Sequence, residues 1–392
     1  MTINLFDDGA WLTLRPLTFT RPVADLRIGI MTISQKWEKY LGADRSGFKT
    51  SPYLALKYPV SLSAEWYING SVCPDGELAE AVLNLETGAA LKGNGVLIAY
   101  KVDAGDNPDE DAIDGLTVKT YSAAFTKIEV PEDIFKNNHT ELKKDFDLLT
   151  RGRSSAKLSA TNTFIGDQIF AEEGASAECA TFNSMNGPIY LGANAQVWEG
   201  SNIRGSFALC HDSQVKMGSK IYGQTTIGPF CRVGGEINNA VIWGYSSKGH
   251  EGYLGNSVVG QWCNIGADSN NSNLKNNYAE VKLWSYSTAS FRKTGLQFCG
   301  LIMADHAKCG INTMFNTGTV AGVGANIFGG GFPRNFIPDF AWGGAHGFET
   351  YALPKMFDTT SKVYERRNKQ LDQIEKDILT HIFEQTKIHR HF

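Results

Sequence analysis

The stretch LGANAQVWEGSNIRGSFALCHDSQVKMGSKIYGQTTIGPFCRVG (191–234) places an aliphatic side chain at every sixth position: Leu191, Val197, Ile203, Leu209, Val215, Ile221, Ile227 and Val233. An amphipathic helix would space its apolar residues by three and four, and a lone half-buried strand by two. Six is the hexapeptide period of a parallel β-helix. Each unit is one short strand and a corner, the aliphatic side chain points into the prism, and a coil buries its face only by stacking on the next.

The period continues outward with interruptions. Ile165 and Ile189 lie four periods apart, Val259 and Ile265 resume the frame, and Ile302, Met314 and Val320 resume it again, with Lys308 at an inward-type position. The segment 278–298, with Trp284, Tyr286, Phe291 and Arg292, breaks the pattern and reads as a loop thrown out of the coil, long enough to reach a neighbouring subunit.

The residues before the repeat have another character. Runs such as GVLIAYKV (95–102) read as strands, and Asp75 caps a helix in which Leu78, Ala81, Val82 and Leu85 share a face. The expected organisation is mixed: an α/β domain at 1–137, a helical linker at 138–157, a left-handed parallel β-helix at 158–345, and a C-terminal helical tail at 346–392, where Leu371, Ile374, Ile378 and Ile382 keep helical spacing.

Composition narrows the function. The 392 residues carry 37 basic and 41 acidic side chains, a net charge of −4, so the chain lacks the basic balance of a general nucleic-acid binder. No apolar run has the length of a membrane span, and the N-terminus has no signal-peptide pattern. The seven cysteines are scattered, without a CxxC pair, which reads as reduced thiols in a cytoplasmic protein with no zinc site.

The stretch SSKGHEGYLGNSVVGQWCNIGAD (246–268) carries the chemistry. With His250, Tyr253, Gly255, Asn264 and Gly266-Ala267 in step, and Ile227-Gly228-Pro229-Phe230 upstream, it resembles the acetyltransferase half of the bifunctional glucosamine-1-phosphate acetyltransferase / N-acetylglucosamine-1-phosphate uridylyltransferase family. GGEINNAVIWG (234–244) is closer to archaeal relatives joining the same two domain types. The resemblance implies that His250 is the base taking a proton from a sugar amine as it attacks acetyl-CoA, a task suited to a neutral imidazole. It implies that Tyr253 and Asn264 hold the sugar, that backbone N–H groups near Ala267 meet the oxyanion, and that His306 lies where the pantetheine arm binds. The family's phosphate-gripping arginine and lysine have no equivalents, so Arg232, Lys248 and Lys275 are the candidate substitutes.

LRPLTFTRPVADLRIG (14–29) resembles the corresponding segment of sugar-nucleotide pyrophosphorylases. There a glycine-rich loop wraps the nucleotide phosphates, whereas here Phe6-Asp7-Asp8-Gly9 brings two acids that would face phosphates badly, and Ser71 stands where the family has a magnesium-binding aspartate. Asp7, Asp8, Arg15 and Arg21 are the candidate nucleotide-site residues, with magnesium expected if the domain is active. The expected function is acetyl transfer to an amino sugar, with or without a phosphate, by a homotrimer with shared active sites. The alternatives are a sugar-1-phosphate nucleotidyltransferase using a nucleoside triphosphate over a scaffolding β-helix, and a non-catalytic sugar-nucleotide binding protein.

Overall fold

The computed structural model describes residues 1–106, 108 and 110–392, which fall into two compact units. The front unit comprises Met1–Leu14, Thr18–Leu26 and Met31–Val130, and the second comprises Arg15–Leu17, Arg27–Ile30 and Pro131–Phe392.

The front unit is built on a six-stranded sheet. Its strands are β1 (Thr2–Phe6), β2 (Arg45–Lys49), β3 (Trp66–Asn69), β4 (Ala89–Gly93), β5 (Val96–Lys101) and β6 (Thr117–Thr120), in the order β2-β1-β3-β5-β4-β6. β1 runs parallel to both β2 and β3, so these three strands end at the same edge of the sheet. Helix α1 (Ile33–Leu41) starts on a capping box between Thr32 and Gln35 and ends on Gly42 in the left-handed region (φ 62°). Helix α2 (Gly76–Leu83) is capped by Asp75, which accepts from the Leu78 N–H, and it buries Leu78 and Val82.

The second unit is a parallel β-helix with three walls. One wall stacks Ile189–Leu191, Phe207–Leu209 and Thr225–Ile227 in register, eighteen residues per coil. A second stacks Gln196-Val197, Gln214-Val215, Arg232-Val233, Ser247-Lys248, Asn264-Ile265, Lys308-Cys309 and Asn326-Ile327. The third runs from Thr163–Ile165 through Asn202–Arg204 and Glu236–Asn238 to Tyr253–Gly255. The eight aliphatic residues of the six-residue frame are all buried in one core cluster, none more than 2% exposed. Each contributes about 1.5–3 kcal/mol by leaving water, and stacking makes them one continuous column.

The frame differs from the sequence expectation at both ends. Ile165 lies on the first strand of its wall and is exposed. After the excursion the inward residues are Met303, Cys309, Phe315, Ala321 and Ile327, one position later than Ile302, Lys308, Met314 and Val320. Ile302 and Val320 are buried too, but on the outer side of the wall, which is why their hydrophobicity misled the phase: the excursion packs against the strand Thr319–Ala321.

That excursion is a hairpin of β7 (Lys282–Ser285) and β8 (Ser290–Lys293). It folds back on its own coils instead of projecting. Trp284 stacks on Phe336 at 4.2 Å, Tyr286 donates to Asp339 at 2.6 Å, and Arg292 forms a two-pronged ion pair with buried Glu132. The coil closes across the insertion as if it were absent, with Val258 paired to Ile302. Gly300 re-enters the wall so tightly that a Cβ there would sit 2.0 Å from the Gly255 carbonyl oxygen.

Helix α3 (Pro131–Thr150) packs on the coil wall, where Asn138 donates to the Gln224 carbonyl and to Thr226. The tail forms two helices, α4 (Leu353–Glu365) and α5 (Gln373–Gln385); Ile378 and Ile382 are buried and Ile374 is partly exposed. Among the described residues no helix is long and apolar enough to cross a membrane.

Candidate functional sites

A cleft of about 620 Å³ lies in the front unit, where β1 and β3 end. Ligands of open α/β sheets bind at such carboxyl ends, because loops diverge there. Phe6, Asp7, Asp8, Gly9, Asn69 and Lys127 are in its lining, together with Lys49 and Glu129.

The two acids differ in kind. Asp7 turns inward, accepting from the Val23 N–H at 2.8 Å and the Thr50 hydroxyl at 2.5 Å, and burial pushes its carboxyl up to about 7. Asp8, half-buried like Asp7, accepts from the Ala10 N–H at 2.9 Å, Asn69 at 3.0 Å, the Ser71 hydroxyl at 3.3 Å and Lys127 at 3.1 Å. Burial raises its carboxyl, but the hydrogen bonds from Asn69 and Ala10 and the Lys127 charge outweigh that and hold it below the ordinary range. One acid is therefore half-protonated near neutrality and the other is already paired. The repulsion expected of two acids facing a phosphate is largely internalised.

These residues do not fit a magnesium ion. Asp8 is wrapped by four donors, Asp7 is inward and half neutral, and Ser71 spends its hydroxyl proton on Asn69 and Asp8. A hard cation needs several free oxygen acceptors, and among the described residues no group of three or more His, Cys, Asp or Glu side chains could hold a metal.

Arg15 and Arg21 are not in the cleft lining. Arg21 is buried and pairs with Asp25 at 3.0 Å, which also accepts from Tyr58. Arg15 belongs to the second unit, where its charge acts on Tyr286 and His381. Lys127 and Asn69 were not singled out in the sequence. Asn69, two residues before Ser71 at the end of a strand, was findable; Lys127 lies far along the chain in no motif, and reaches Asp8 because Thr126-Lys127 pairs with Val72-Cys73.

On the coil, His250 lies at the corner between the strand Ser247-Lys248 and the strand that Tyr253 begins. Its side chain is exposed and has no hydrogen bond or ion pair among the described residues. Tyr253 is half-buried, and its hydroxyl accepts from Asn273 at 2.9 Å. Asn264 is exposed one coil on, paired in register with Ser247. Ala267 is half-buried and its carbonyl accepts from the Asn312 N–H.

The three substitute cations separate. Arg232 faces outward and donates to the carbonyls of Asp212 and Cys231. Lys275 donates to the Glu280 carbonyl at the base of the hairpin. Lys248 is inside the prism, in the column between Val233 and Ile265 and 2% exposed, with its ammonium on the carbonyls of Gly234 and His250. It is out of reach of a substrate phosphate, because the alternation of the strand that exposes Ser247 turns Lys248 inward. His306 is a buried corner residue (φ 63°) packed parallel to Tyr364 of α4, which covers the edge where a cofactor arm was expected.

Residues 3–154 match the family model described as sugar nucleotidyl transferase. No curated protein matches the chain. Among solved structures, the UDP-N-acetylglucosamine acyltransferase of Francisella novicida is 10% identical, with a TM-score of 0.33 over 59% of this chain and 88% of that one. That of Campylobacter jejuni is 10% identical, with a TM-score of 0.28 over 58% and 96%. The Arabidopsis enzyme is 13% identical, with a TM-score of 0.22 over 59% and 91%. The chain thus carries a front segment, residues 3–154, that is similar to sugar nucleotidyl transferases, and a second unit that is a parallel β-helix.

Proposed function

We propose that the front cleft transfers a nucleotidyl group to a sugar 1-phosphate. The observation that carries this reading is the Asp8–Lys127 pair at the carboxyl end of β1, inside a cleft of nucleotide-sugar size. A sugar-phosphate oxygen attacks the α-phosphorus of a nucleoside triphosphate, and pyrophosphate leaves. Lys127, shared between Asp8 and Glu129, is the cation placed to meet charge on the phosphates. Asp8 fixes that ammonium, and Asn69 fixes Asp8. The family match over residues 3–154 supports the same reaction class. The test is pyrophosphate release by the full chain over a panel of nucleoside triphosphates and sugar 1-phosphates. Turnover that falls in the Lys127→Ala variant is expected; no release with any pair overturns the reading.

A second reading is favoured by one observation, the exposed and unpartnered imidazole of His250 on the coil. An amino sugar attacks the thioester of acetyl-CoA, His250 takes the amine proton, and the CoA thiolate leaves. The reading places this reaction between two copies of the chain, as in a homotrimer, with His250 on the exposed wall of one of them. Thiol release from acetyl-CoA with an amino sugar, together with a trimer in light scattering, supports it; a monomer at micromolar concentration overturns it.

A further inference from the structure

The second unit holds another cavity, of about 640 Å³, whose lining includes Trp284 and Phe291 of the hairpin, Arg334 and Phe336 of the last coils, and His389 and Phe392 of the tail. We propose that it is a binding site for a nucleoside monophosphate. The inference does not depend on the reading of the front cleft.

Three observations converge on that ligand class. The first is the aromatic surface: Trp284 and Phe336 stack at 4.2 Å, and Phe291 and His389 stand edge-on to Trp284 at 5.3 and 6.2 Å. Rings at a cavity wall provide a stacking platform for a planar base. The second is an acceptor in the lining: burial lowers the pKa of His389, with the charges of His391 and Arg390 acting the same way, so its ring keeps an acceptor at neutral pH for a base N–H. The third is an unused charge: Arg334 is exposed at the rim and makes no ion pair or hydrogen bond among the described residues. A guanidinium is suited to gripping phosphate with two parallel N–H groups. A planar apolar ring with hydrogen-bonding edges, joined to an anion, uses all of these groups. A straight-chain carboxylate would use only the charge and the apolar area.

The test is titration calorimetry of the full chain with AMP, adenosine and octanoate, combined with photo-crosslinking by 8-azido-AMP and peptide mapping. AMP is expected to bind more tightly than adenosine, and the crosslink to fall in segments 282–293, 334–348 or 388–392. Arg334→Ala, an exposed change that leaves the core untouched, should weaken AMP about tenfold while leaving adenosine unchanged, the loss of one charge-assisted contact. Crosslinks confined to the front unit, AMP affinity unaffected by Arg334→Ala, or binding of octanoate without AMP would each overturn the proposal.

Discussion

The ammonium of Lys248 donates to the carbonyl of His250 at 2.7 Å from inside the β-helix, so a buried cation fixes the backbone that carries the exposed imidazole. Its second bond, to the Gly234 carbonyl at 3.0 Å, ties the preceding coil to the same point.

Burial lowers the Lys248 pKa from 10.5 to about 8. Between those values the unfolded chain holds a proton that the folded chain has lost, so stability rises with pH across this window. Below pH 8 the penalty is fully present, at about 3 kcal/mol. Lys248→Met, which restores an apolar column, is expected to raise the urea midpoint at pH 7 and to flatten its rise between pH 8 and 10.5. An unchanged midpoint would mean that the two carbonyl bonds offset the burial of the charge.

Asp7 shows the opposite dependence. Its folded value of about 7 lies above the ordinary 3.8, so the folded state holds the extra proton, and stability falls as pH rises from about 4 to 7. Asp7→Asn should remove that decline. Thermal unfolding from pH 4 to 8 measures it directly, and parallel curves for the two proteins would count against a protonated Asp7.

Lys127→Met should lower pyrophosphate release by about 10²–10³-fold, the usual cost of losing one preorganised donor to developing charge. Asp8 keeps its bonds to Ala10 and Asn69, so circular dichroism should be unchanged.

His250→Ala should leave the unfolding midpoint within about 0.5 kcal/mol of the parent, as exposed substitutions do. Thiol release from acetyl-CoA, if the β-helix catalyses it, should fall by about 10²–10⁴-fold. A full rate in the variant would remove His250 as the base.

Arg292→Ala should cost about 3–5 kcal/mol, because it leaves the Glu132 carboxylate buried without its partner. The double variant Arg292→Ala, Glu132→Gln should recover much of that loss. Urea unfolding of the single and double variants separates ion pairing from packing of the hairpin.

The coil was legible because its period is local: each of Leu191 to Val233 declares the interior without reference to distant residues. The phase after the hairpin was not legible. Leu301, Ile302 and Met303 are all apolar, and only the covering of the outer wall shows which of them face inward. His250, Tyr253 and Asn264 do fall on neighbouring coils, but the spacing could not show that the Tyr253 hydroxyl is engaged by Asn273. Lys248 was misplaced because a lysine suggests solvent, while strand alternation put it inside. In the front unit the acids at 7 and 8 were visible as charges, but their different protonation depends on Thr50, Val23, Asn69 and Lys127, which only the folded sheet brings together.

One corner of the β-helix repeats a left-handed residue on successive coils, and at Phe230, Tyr245 and Trp262 that residue is aromatic. The rings stack at 4.7 and 4.1 Å, and Tyr364 of α4 closes the pile against Trp262 at 4.1 Å. Chromophores this close and this rigid couple their electronic transitions, so the corner is a built-in optical gauge. Near-ultraviolet dichroism and Trp262 emission should register any lifting of α4 while the coils beneath remain wound.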